Sequence, residues 1–138
     1  MDAAQAIADL TEISSQIEAV VVSDGDGAVV GTNLEAGDRA QRVAEGASRL
    51  LDEAAAAATG HDGSPLTQLE AATPEGSVFV VREDGRTIVA TTSPEPTVGL
   101  VFYDLKSCLR SLADEPEPEP KPAKPRAPRK RKADDGAS

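Results

Sequence analysis

Residues 17–33, IEAVVVSDGDGAVVGTN, decide how this chain folds. Two short apolar runs, 19–22 and 28–31, flank Asp24-Gly25-Asp26-Gly27. Asp-Gly pairs between such runs predict a β-hairpin, because glycine accepts the positive φ of a tight turn without steric penalty. Upstream, Ala3, Ile7, Leu10, Ile13 and Ile17 recur at helical spacing and predict an amphipathic helix over 2–17. Downstream, a long helix is expected from Gly37–Asp38 to about Thr59, with Gly60 as its stop.

Three strands follow at 66–72, 77–82 and 87–92, separated by turns at Pro74-Glu75-Gly76 and Glu83-Asp84-Gly85-Arg86. In the first of them Leu66, Gln68 and Glu70 share one face, and Thr67, Leu69 and Ala71 the other. A last helix after Pro94-Glu95-Pro96 carries Val98, Val101, Phe102, Leu105, Leu109 and Leu112 on one side. The order α-β-β-α-β-β-β-α predicts an α+β layer fold, one five-stranded antiparallel sheet with helices packed on it.

The middle helix carries more apolar surface than its own sheet requires. At about 100° per residue, Val43, Ala47, Leu50, Ala54 and Ala57 cluster around one direction. Ala40, Ala44, Leu51, Ala55 and Ala58 extend that arc to roughly 160°, against the roughly 100° of an ordinary surface helix. One flank can cover the sheet. The other, built mostly of alanine, is left for a second surface, and small side chains permit close helix approach. The alternative is that alanines 54–58 reflect helix propensity alone. A thin core with three aromatic residues, Phe79, Phe102 and Tyr103, favours dimerisation.

Residues 1–112 resemble a Roadblock/LC7 domain, the family of dynein light chains and of bacterial regulators of Ras-like small GTPases. The resemblance rests on IEAVVVSDGDGAVVGTN, the Ala-rich helix RAQRVAEGASRLLDEAAAAA, the segment LTQLEAATPEGSVFVVREDGRTIVATT and the closing VGLVFYDLKSCLRSL. It implies a longin/profilin-like sandwich and homodimers in which the middle helices and a sheet edge pair. It further implies a dimer surface that docks a small GTPase and alters its nucleotide cycle. The candidate dimer contacts are then Ala40, Ala44, Ala47, Leu51, Ala55 and Ala58 of the helix, with Leu66, Gln68 and Glu70 of the strand after it.

Composition narrows the chemistry. The chain has 138 residues, a formal charge of −10 and one cysteine, Cys108, which excludes an internal disulfide and suits a reducing, cytoplasmic setting. No apolar run is long enough to span a bilayer, and the first ten residues do not read as a signal sequence. The sequence lacks the GxxxxGK[ST] phosphate loop. Gly25-Asp26-Gly27 with Gly31 opens a strand rather than the helix a dinucleotide site requires. Asp24-x-Asp26 lacks the remaining ligands of a calcium loop and reads as a turn.

His61 follows the middle helix, where the helix dipole accounts for it. Cys108 reads as a buried small hydrophobe, and Ser14 and Ser15 have no histidine partner, so no nucleophile–base pair can be nominated. Arg39, Arg42, Arg49, Arg82 and Arg86 are the arginines available to an arginine-finger role, but Arg82 beside Glu83 and Asp84 reads as part of a solvated turn. A non-enzymatic module without cofactor or metal is expected.

Charge and proline divide the chain near residue 113. Residues 1–113 carry 18 Asp/Glu against 7 Lys/Arg, a net −11, whereas 114–138 carry 6 against 7, a net +1. Six of the ten prolines fall in 114–138, which predicts a disordered tail, acidic and then basic. Lys121, Lys124, Arg126, Arg129, Lys130, Arg131 and Lys132 suit contacts to nucleic acid phosphates or an anionic membrane surface. Without aromatics among them, such binding is sequence-tolerant and salt-sensitive. A tail lying loosely on the acidic domain is the competing expectation. The alternative to a GTPase regulator is thus an architectural or tethering protein acting through this tail.

Overall fold

The computed structural model describes residues 2–58 and 67–113. Its order is α1 (Ala3–Ile13), β1 (Ile17–Ser23), β2 (Val29–Thr32), α2 (Arg39–Ala58), β3 (Gln68–Thr73), β4 (Gly76–Glu83), β5 (Arg86–Thr92) and α3 (Val98–Ala113). The five strands form one antiparallel sheet in the order β2-β1-β5-β4-β3. The expected α+β architecture is therefore present, with β2 and β3 at the two edges.

Alternation along the strands splits the core into two layers. Val20, Val22, Phe79, Val81, Ile88 and Ala90 face α1 and α3, where they meet Ile7, Leu10, Val101, Leu105 and Leu109. Phe79 and Phe102 close that layer edge to face, with centroids 5.0 Å apart. Val21, Val80 and Val89 point the other way, onto α2. The period of two in the strands thus gives each sheet face its own helical cover.

The turns follow from local chemistry. Asp24 Oδ1 accepts from the backbone N–H of Asp26 and Ala28, holding the first hairpin loop. Asp84 and Gly85 both have positive φ, 55° and 79°, the arrangement that matches the twist of a two-residue hairpin. At Gly31, a Cβ would stand 2.8 Å from Ala3 Cβ and 2.9 Å from Ile7 Cδ1, so glycine lets α1 lie directly on β2.

Two boundaries differ from expectation. The first helix stops at Ile13 rather than 17; Ser14 is its C-cap in an extended conformation, and Ile17 opens β1 instead, buried in the core. Register explains this, since Ile17 pairs with Thr92 and strand pairing outweighs one more turn of helix. The strand expected at 66–72 runs over Gln68–Thr73. Leu66, His61 and the tail from 114 onward lie outside the described residues. Among the described residues, no helix is long and apolar enough to cross a membrane.

Candidate interaction surface

The excess apolar arc on α2 is present, but the flank facing the sheet is the opposite of the one expected. Ala40, Ala44, Ala47 and Leu51 are buried against Val21, Val80 and Val89 of their own protomer. Leu51 is 0% exposed. These four side chains, expected at a dimer contact, are therefore buried in the core of the protomer. Small alanines allow the helix to settle close to a sheet face already filled with valines, so they serve the protomer's own packing.

The flank turned outward is the one centred on Val43 and Leu50. Leu50 is 42% exposed, Val43, Gly46 and Ala54 are half-buried, and Ala57 is exposed. Of the remaining candidates, Ala55 is half-buried and Ala58 exposed.

Helix α2 lies mainly over β1, β2 and β5. The β3–β4 side of the same face is left with partial cover, so Leu69 and Val78 remain only half-buried, as does Ala71. The register Leu69↔Val80 and Ala71↔Val78 fixes which β3 residues share this face. Gln68 and Glu70 pair with Val81 and Phe79 and so lie on the opposite face, toward the α3 layer. The expected contact set thus mixes two faces. Leu69 and Ala71, not Gln68 and Glu70, continue the surface of α2.

Strand β3 also leaves one backbone edge without a neighbouring strand among the described residues. It has six residues, no proline and one charged side chain, Glu70. Such an edge lacks the devices that discourage strand addition. Half-buried Leu69 and Val78 beside this edge pack, with Val43 of the α2 flank, against the same buried cluster.

A polar cluster that sequence alone places in solvent borders α2. Arg82 donates from Nη1 to Asp52 Oδ1 at 2.9 Å, from Nη2 to Ser48 Oγ at 3.1 Å and from Nε to Thr87 Oγ1 at 3.2 Å. The arginine expected in a solvated turn instead ties β4 and β5 to α2. Ser48 and Asp52 stand at i and i+4 on the polar side of the helix, and only the tertiary fold brings them to Arg82. Arg42 pairs with Asp38 on the surface.

The described residues contain no group of acidic, histidine or cysteine side chains able to hold a metal ion. Cys108 is buried, as expected; desolvation, with a smaller contribution from Asp9, pushes its thiol up to about 11. It is a packing residue in a neutral state at physiological pH.

No family model and no curated protein matches the sequence. Solved structures do. A Roadblock/LC7 domain from Streptomyces avermitilis is 19% identical and superposes with a TM-score of 0.74, covering 83% of this chain and 97% of that one. The gliding protein MglB of Thermus thermophilus is 12% identical with a TM-score of 0.68, covering 81% and 86%. An MglB with a tetrameric arrangement is 12% identical with a TM-score of 0.69, covering 81% and 85%. Element order, sheet topology and these superpositions agree: the chain has the Roadblock/LC7 fold.

Proposed function

We propose that this protein is a non-enzymatic homodimeric module that binds a Ras-like small GTPase and regulates its nucleotide cycle. The observation that carries the reading is the β3–β4 half of the α2 face, only partly covered among the described residues, with Leu69, Ala71 and Val78 half-buried and Val43, Leu50 and Ala54 on the outward flank of α2. A second copy, turned by a two-fold axis, brings its own α2 flank and β3 edge to the same region, as a self-complementary interface requires. Two helices side by side over a sheet continued through paired β3 strands then form one broad platform.

The GTPase half of the reading is supported by the resemblance to a family of such regulators and by the fold. Regulation on a platform of this kind proceeds by differential affinity: the dimer holds one conformation of the switch segments and shifts the population toward it. The test is titration of purified Ras-like GTPases from the source organism with the full chain, following complex formation, nucleotide release and hydrolysis. A saturable complex with an altered rate supports the reading. Absence of binding to every one of them contradicts it.

The charge of 121–132, seven basic residues in twelve, supports a second reading in which a dimer tethers itself to polyanions. Retention on DNA or on anionic vesicles that falls steeply with salt, and that vanishes when these residues are neutralised, is its expected signature. Retention that ignores the neutralisation contradicts it.

A further inference from the structure

A shallow groove of about 150 Å³ runs between α1 and α3, on the side of the molecule away from α2. Its floor is apolar, formed by Ala6, Leu10, Ile13 and Cys108, and Ile13 is 75% exposed. One carboxylate stands in each wall, Asp9 on α1 and Asp104 on α3. Helix α1 contains no basic residue, and Arg110 on α3 is paired with Glu83 of β4. Asp104 has no cationic partner among the described residues.

The two helices run antiparallel: Thr97, just before α3, donates its N–H to Gln16 Oε1, just after α1, at 2.6 Å. The end of α3, at Ala113, is therefore beside the start of α1, at one end of the groove. From there to Asp104 is nine helical rises, about 14 Å. The seven residues 114–120 can reach about 22 Å in extended polyproline form. The following basic segment can thus return over the groove.

Its spacing fits. At three residues per turn, Pro122, Pro125 and Pro128 fall on one edge of a polyproline ribbon. Lys121, Lys124 and Lys130 fall on a second edge, and Arg126, Arg129 and Lys132 on the third. Over 121–130, before Arg131 joins the proline edge, an apolar edge between two basic edges matches an apolar floor between two carboxylates. Tethering on the same chain raises the effective concentration of the segment at the groove.

We propose that residues 121–132 dock in the α1–α3 groove of their own chain, prolines on the Leu10–Ile13 floor and basic side chains on Asp9 and Asp104. The occupied state pairs part of the segment's charge with Asp9 and Asp104 and withholds it from other anionic surfaces, so groove and polyanion compete for one segment. The proposal is independent of the GTPase reading.

The test is carbodiimide cross-linking of the full chain at low salt, with isotopically mixed protein to separate links within a chain from links between chains. Lys121 or Lys124 is expected to form amides with Asp9 or Asp104 of the same chain. These links should disappear in 1 M salt, where the Debye length is about 3 Å. In parallel, the full chain carrying Lys121→Gln, Lys124→Gln and Arg126→Gln is expected to shift backbone amide resonances at Asp9, Leu10, Ile13 and Ser111. Links only between chains, links centred on other carboxylates such as Glu70 or Glu95, or unmoved resonances in the groove each overturn the proposal.

Discussion

Leu50 and Leu51, adjacent in sequence, have opposite fates: Leu51 is fully buried between α2 and the sheet, whereas Leu50 is 42% exposed on the outward flank. One helical step of about 100° separates the protomer's own core from the surface available to a partner. That step is the most direct handle on how the two sides of α2 are used.

Truncating each leucine separates the roles. Leu51→Ala is expected to cost about 2–5 kcal/mol of protomer stability, as a large-to-small change in a closed core. Leu50→Ala should cost much less in a dilute sample and act instead on self-association. Chemical denaturation at several protein concentrations checks both. Equal losses for the two variants contradict the assignment of faces.

The clamp of Arg82 on Asp52 is a surface interaction, since the two side chains are 36% and 64% exposed. A double-mutant cycle with Arg82→Ala and Asp52→Ala should give a coupling of about 1 kcal/mol or less, falling as salt is added. Loss of the further bonds to Ser48 and Thr87 makes Arg82→Ala the more damaging single change. A coupling that does not respond to salt argues against a screened surface pair.

At Gly31 there is no room for a side chain. Gly31→Val places side-chain atoms where Ala3 and Ile7 already stand, so α1 must shift away from β2. The expected result is faster amide exchange through α1 and a stability loss of about 1–3 kcal/mol, the usual cost of overpacking. Unchanged exchange in α1 contradicts the close approach.

For Cys108 the sign of the pH effect follows from its environment. The folded thiol titrates at about 11 against an ordinary value of 9.0, so the unfolded chain loses its proton first. The contribution of the neutral thiol to stability is complete below about pH 9 and is lost as pH rises toward 11. Cys108→Ala should flatten this part of the stability profile. Thiol reagents should react slowly with the folded wild-type protein at neutral pH, and rapid labelling contradicts burial.

Much of this architecture is legible in residue patterns. Period-two apolar runs and the Asp-Gly turns identify the hairpins because those signals are local, and the meanders on either side of α2 follow from short connections. Helix α2 shows where pattern reading fails: the width of an apolar arc says that two surfaces meet a helix, not which surface takes which flank. Ala47 and Ala54 look alike on a wheel. Only the valines of β1, β4 and β5 decide that Ala47 goes inward. Arg82 escapes pattern reading for a related reason, since its partners lie 30 and 34 residues away in sequence. Strand position alone assigns Gln68 and Glu70 to the interface, and the register with β4 is needed to show that Leu69 and Ala71 share the face of α2.

The central claim is that α2 and β3 present a surface meant for a second copy. Sedimentation equilibrium of the full chain at micromolar concentration, beside the Leu50→Glu variant, tests it most directly. The account predicts a wild-type mass of twice the 14.2 kDa protomer and a folded variant at the protomer mass. A wild-type chain that remains at 14.2 kDa across that range contradicts it.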